Sequence, residues 1–104
     1  MNRRDPRNRL SMIYDILVCC SKKALLISEI GRKANLSSKN LYRLVDSLAE
    51  SGYLVKKVCD CHDFYFVSPK GREFIHRYDA LLAVDNPNYP VLQNLAFLTK
   101  SYIL

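Results

Sequence analysis

The chain has 104 residues, 49% of them hydrophobic and 25% charged, which excludes a disordered polymer and favours one small domain with its own core. A formal net charge of +6 favours a polyanionic partner, without choosing among DNA, RNA and an anionic membrane face. No stretch approaches a membrane span and the start lacks the apolar run of a secretory signal, so the expected location is the cytoplasm, where Cys19, Cys20, Cys59 and Cys61 remain thiols.

Residues 1–8 read as a flexible basic arm: Arg3, Arg4 and Arg7 surround Asp5 and Pro6 without an apolar period. A first helix is expected from about residue 7 to residue 20, with Leu10, Ile13, Tyr14 and Leu17 as its buried stripe, widened by Val18, Cys20 and Cys19, and a break at Ser21, Lys22 and Lys23. Ala24, Leu25 and Leu26 suit a short strand. A second helix starts near Ile27 or Ser28, buries Ile27, Ile30 and Ala34, and ends at Asn35, a residue that tolerates the left-handed conformation. Gly31 in its middle implies that another backbone comes close.

A third helix follows Ser37, whose hydroxyl is placed to cap the first turn. Leu41, Leu44, Val45 and Leu48 form its inward stripe, and Gly52 is its stop. Two strands are expected over residues 53–58 and 64–67, joined by a polar loop over residues 59–63. Ser68 and Pro69 are a serine cap and a first-turn proline for a fourth helix, with Phe74, Ile75, Tyr78, Leu81 and Leu82 on one face. Residues 85–88 break it, and a last helix from about residue 90 to residue 102 carries Val91, Leu92, Leu95, Leu98 and Tyr102. The expected organisation is an arm (1–8), a domain (9–84) and a helical extension (85–104). The fold class is α+β, mainly α, with a three-helix core, a hairpin, a fourth helix and an extra C-terminal helix.

The run from Ile27 to Leu48 resembles the helix-turn-helix of winged-helix transcriptional regulators. Ala49-Glu50-Ser51-Gly52-Tyr53-Leu54-Val55 resembles their junction from recognition helix to strand, and Val67 to Phe74 resembles the step from wing to fourth helix. The pattern covers roughly residues 9–84 and is similar above all to small archaeal winged-helix DNA-binding proteins, and more broadly to MarR-like regulators. Many of the archaeal group continue the fourth helix into a dimerising coiled coil; here Pro87 and Pro90 interrupt it. The resemblance implies a winged helix-turn-helix fold and double-stranded DNA as partner, with no cofactor or metal.

The residue types agree with that implication. A helix fits the major groove and reads it with side chains near its start. The outward positions of the third helix are Ser38, Lys39, Asn40, Tyr42, Arg43 and Ser47. Asn40 has the donor and acceptor for adenine, Arg43 the fork for guanine, and Ser38 and Lys39 suit phosphates. Lys56 and Lys57 on the hairpin are placed for phosphates or a minor groove, and Arg3 and Arg4 for a minor groove. Each group also has a plain reading: a solvated polar face for the third helix, ordinary surface lysines on the hairpin and a solubilising tail for the arm.

Cys59, Cys61 and His62 supply at most three metal ligands at unusual spacing, and redox sensing is the other functional reading of the two thiols, but an ordinary exposed loop is expected there. No phosphate loop, nucleophile elbow or carboxylate pair marks an enzyme or a small-molecule substrate site, and His76 reads as a surface or dimer-face residue. The apolar excess of the fourth and last helices points to a homodimer, the alternative being a tail that folds back and packs over its own domain. The competing function is a winged-helix module that holds another protein, using the apolar tail and the aromatic strand of Phe64 and Phe66.

Overall fold

A computed structural model describes residues 8–85. Residues 1–7 of the predicted arm, with Arg3 and Arg4, and the predicted last helix lie outside the described residues. The order is α1 (Arg9–Lys22), β1 (Leu25–Leu26), α2 (Ile27–Ala34), α3 (Ser38–Glu50), β2 (Leu54–Cys59), β3 (His62–Val67) and α4 (Pro69–Asp85). This is the expected mainly helical α+β arrangement, with a three-helix core and a hairpin wing. No helix among the described residues is long and apolar enough to cross a membrane.

α1 starts at Asn8, whose side-chain carbonyl accepts from the Ser11 amide at 2.8 Å. Its inward face keeps the predicted Leu17 and Cys20, both buried, with Ile13 and Tyr14 half-buried, but it adds buried Ile16 and leaves Leu10 53% exposed. The helix also outlasts its predicted end at residue 20. The Ser21 hydroxyl donates to the Val18 carbonyl at 2.6 Å and occupies an acceptor of the last turn, a local bond that a pattern of apolar residues does not register.

β1 hands the chain directly to α2, where the Glu29 carboxylate accepts from the Leu26 amide at 2.9 Å. Asn35 ends α2 in the left-handed region, at φ 57° and ψ 55°, as expected. Gly31 is buried, but its close neighbour is a side chain and not the expected backbone. A Cβ there would meet Leu41 Cδ2 at 2.7 Å, while the nearest backbone atom, the Leu36 carbonyl oxygen, stands at 3.8 Å. The glycine thus seats Leu41 and sets how closely α3 lies on α2.

α3 buries Leu41, Leu44, Val45 and Leu48, the predicted stripe, in one cluster with Ile16, Leu17, Leu25, Ile30 and Leu54. Truncating a leucine in such a cluster to alanine typically costs about 2–5 kcal/mol, so the stripe fixes which face of α3 turns outward. The Ser37 hydroxyl makes no capping hydrogen bond, contrary to expectation. The C-terminus closes by two crossed bonds, Gly52 amide to Ala49 carbonyl at 3.2 Å and Tyr53 amide to Leu48 carbonyl at 2.9 Å, with Gly52 at φ 87°.

The sheet is antiparallel in the order β1-β3-β2, with Leu25 opposite Tyr65 and Leu54 opposite Val67. The wing turn is tighter than predicted. Cys59 pairs with His62, leaving only Asp60 and Cys61 between the strands, at φ 52° and 65°. Two positive φ values match the twist of a two-residue hairpin. Cys61 holds the position where glycine is usual, so the sequence did not announce the turn.

Ser68 ties the wing to α4. Its hydroxyl donates to the Gly52 carbonyl at 2.5 Å and accepts from the Gly71 amide at 3.0 Å, while its amide donates to the Tyr53 carbonyl at 3.1 Å. Gly71 is pressed against the same junction, where a Cβ would collide with the Tyr53 carbonyl oxygen and Val67 Cγ2. Alanine is the better helix former by about 1 kcal/mol. Overpacking against a backbone carbonyl costs about 1–3 kcal/mol or more. Gly71→Ala should therefore destabilise on balance, read as a lower urea midpoint at unchanged slope. An unchanged or raised midpoint would mean that α4 tilts away without cost.

On α4, Phe74, Ile75, Tyr78 and Leu82 are at least half-buried, but Leu81 is 68% exposed and Asp79 is buried in its stead. The Tyr14 hydroxyl donates to Asp79 at 2.5 Å, and the rings of Tyr14 and Tyr78 stack at 4.8 Å. A carboxylate with such a partner can sit on an inward face that hydropathy assigns to apolar residues alone.

Candidate nucleic-acid interface

The buried stripe of α3 leaves Ser38, Lys39, Asn40, Tyr42, Arg43 and Ser47 exposed together, with Tyr42 54% accessible. The first half of α3 thus carries every cation of the helix, beside the open amides of its first turn, and both suit a polyanion.

The second half of the same helix is acidic. Lys39, Arg43, Asp46 and Glu50 recur at i, i+4, i+7 and i+11, which places them along one exposed strip. Sequence reasoning selected the polar and basic members of that strip and passed over Asp46 and Glu50, although their spacing carried the signal. The strip therefore has a polarity, cationic near Ser38 and anionic near Glu50.

The hairpin divides its lysines. Consecutive strand residues point to opposite faces. Lys56 lies opposite Tyr65 and shares a cleft of about 320 Å³ with Asp46, Glu50 and Tyr65. It also pairs with Asp63 at 3.9 Å, both side chains about half exposed, a contact worth little in water. Lys57 lies opposite Phe64 on the other face, with Phe66, Cys59 and Ala24 around a groove of about 430 Å³. Burial foremost, then Asp63, Asp46 and Tyr42, holds the Tyr65 phenol above its ordinary range, so it stays protonated at neutral pH. Lys56 and Lys57 are both exposed, as expected, but they do not converge on one site.

The remaining polar candidates separate in the same way. All four cysteines are free thiols, Cys59 and Cys61 exposed at the wing tip, Cys19 half-buried and Cys20 buried. Among the described residues no group of three histidine, cysteine or acidic side chains is arranged to hold a metal ion. His76, expected at the surface or on a dimer face, is half-buried, with its Nδ1 enclosed and without a hydrogen-bond partner.

Comparison with known proteins places this geometry. The profile of the winged helix-turn-helix family matches residues 6–85. No curated protein sequence matches the chain. Among solved structures, Sso10a-2, a DNA-binding protein from Sulfolobus solfataricus, is similar with a TM-score of 0.70 at 18% identity, covering 88% of this chain and 96% of that one. The smu.1704 protein of Streptococcus mutans UA159 is similar with a TM-score of 0.73 at 17% identity, over 88% and 94% of the two chains. A MarR family transcriptional regulator from Silicibacter pomeroyi is similar with a TM-score of 0.61 at 23% identity, over 86% and 66%. At these identities the likeness is one of fold.

Proposed function

The chain belongs to the winged helix-turn-helix family, and from that membership we propose that it binds double-stranded DNA sequence-specifically as a cytoplasmic transcriptional regulator. The observation that carries the reading is the strip on α3, where cationic and amide-bearing side chains stand exposed on the helix that the core holds outward. The DNA-binding and regulatory relatives of the same fold support it. In this reading the start of α3 enters the major groove. Asn40 and Arg43 reach base edges, Tyr42 and Ser47 flank them, and Ser38 and Lys39 hold phosphates. The wing lies along the backbone with Lys57, and with Lys56 where it leaves Asp63. Arg3 and Arg4 of the arm take the minor groove.

Two copies act together. Leu81 and Val84 are 68% and 84% exposed on α4, and the sequence beyond them carries Val91, Leu92, Leu95, Phe97, Leu98, Tyr102 and Ile103, an apolar content that suits an interface. Residues 85–104 are therefore assigned to dimerisation and residues 9–84 to DNA binding. Selection from a random duplex pool tests the whole reading and should enrich one palindromic site. Binding without enrichment would remove base reading, and failure to bind at low salt would leave the protein-interaction module in its place.

The acidic half of the strip gives a more local expectation. Asp46 faces the same side as Lys39 and Arg43, so it opposes the phosphates that they attract. Asp46→Asn should tighten binding to any duplex, by up to about fivefold at low salt and less at high salt, since a unit charge near contact in water is worth about 1 kcal/mol. Weaker binding of that variant would place α3 in another orientation.

A further inference from the structure

A cleft among the described residues lies away from the α3 strip. It opens between the end of α1 and the end of α2, has a volume of about 610 Å³, and is lined by Cys19, Lys22, Lys23 and Lys33, with Asp15 as the one acid. That volume falls within the range of clefts that hold small ligands, about 300–1,000 Å³. Three ammonium groups against one carboxylate make it a trap for a small anion. Its lining also includes a sulfur, which a purely electrostatic anion site does not need.

We propose that Cys19 is a site of reversible thiolation, and that the lysine-lined cleft selects small disulfides carrying carboxylates, the class of a peptide disulfide. The two adjacent thiols have different parts. Cys19 is half-buried on the cleft wall, and as a thiol it donates to the Ile16 carbonyl at 3.2 Å. Cys20 is 1% exposed and points into the core, out of reach of an incoming disulfide. The neighbouring Cys20 thiol does most to hold the Cys19 thiol below its ordinary range, and the local backbone and the Lys33 charge add to this, while burial and Asp15 oppose it. Cys20 is pushed far upward by the adjacent Cys19 and by burial, so it remains a protonated thiol. Cys19 is thus the member of the pair that ionises within reach of a ligand.

The exchange balances without another reagent. The Cys19 thiolate attacks one sulfur of the disulfide, a Cys19–S bond forms, and the disulfide bond breaks. Its electron pair leaves on the second sulfur, which takes up the proton that Cys19 released. The disulfide is the oxidant. The corresponding free thiol reverses the step. The carboxylates of the attached half then lie among Lys22, Lys23 and Lys33, where an ammonium-bearing half would be repelled.

The test uses the reduced full chain with glutathione disulfide as the anionic probe and cystamine as the cationic one, at neutral pH and low salt. Tandem mass spectrometry locates the adducts, and exposed Cys61 on the wing serves as the internal reference. With glutathione disulfide, Cys19 should react at least about tenfold faster than Cys61, the lower end of the gain expected from a charged cleft. Cys20 should stay unmodified, and reduced glutathione should remove the adduct. With cystamine, with Lys33→Ser, or at high salt, the Cys19-to-Cys61 ratio should fall. Equal rates at the two thiols, or a ratio that cystamine leaves unchanged, overturns the proposal. Lys33 is exposed, so its replacement spares the core, and the comparison of the two probes needs no variant. The readout is a covalent adduct, so it stands or falls apart from duplex binding.

Discussion

Raising monovalent salt fourfold should weaken duplex binding by about 40-fold for each copy bound, and on the order of a thousandfold for a dimer on its site. The figure follows from counterion release. Each phosphate neutralised by a lysine or arginine contributes about −0.9 to the slope of log K against log salt. Lys39, Lys56 and Lys57 are the phosphate candidates of the described surface, so one copy has a slope of about −2.7 and two have about −5.4. The arm arginines would steepen both values. The Lys56–Asp63 pair would make them shallower, since that lysine must give up one partner to gain another. The slope thus also reports how many copies bind. Light scattering on the full chain and on a chain stopped at Val84 provides the independent count, with a dimer expected for the first and a monomer for the second. A monomeric full chain would remove the dimer and the palindromic site together, while leaving the slope per copy intact. A flat salt response would remove the electrostatic basis of the reading.

The elements that sequence made legible are those whose signal is periodic. The α3 stripe of Leu41, Leu44, Val45 and Leu48 lies in the core as its spacing implied, and the turn at Asn35 takes the left-handed conformation that the residue tolerates. The less legible features were set by single polar contacts. Ser21 bonds back to Val18 and prolongs α1, and Asp79 is admitted to the interior by the Tyr14 hydroxyl. Neither contact has a period, and the second joins residues far apart in the chain. The wing turn was hidden for another reason, since Asp60 and Cys61 adopt positive φ without a glycine to mark it. For the candidate interface, exposure of Ser38, Lys39, Asn40, Tyr42, Arg43 and Ser47 followed from the same stripe by subtraction. The division of Lys56 from Lys57 also followed from strand alternation, but only the register shows which lysine faces Asp46 and Glu50.

Replacing Arg43 should change what the protein recognises, whereas replacing Lys57 should change only how tightly it binds. Arg43 is exposed on the second turn of α3, within the part of the helix that enters a groove start-first, and its guanidinium presents the planar fork that meets two acceptors of guanine. Losing a bidentate contact costs about 1–3 kcal/mol of discrimination, so Arg43→Ala should narrow the gap between the selected site and a single-base mismatch by about five- to 150-fold. Lys57 stands on the face of the wing away from α3, in a strand whose neighbours Phe64 and Phe66 carry no charge. Its ammonium is a point charge for phosphates, so Lys57→Ala should weaken matched and mismatched duplexes by the same factor and reduce the salt slope by about one. The two variants therefore separate reading from holding within one set of titrations. Arg43→Lys sharpens the comparison, because it keeps the charge and loses the fork: it should leave the salt slope unchanged and still lose the discrimination. If Arg43→Ala weakens every duplex equally, α3 touches only the backbone, and sequence preference must come from the shape of the duplex or from the arm.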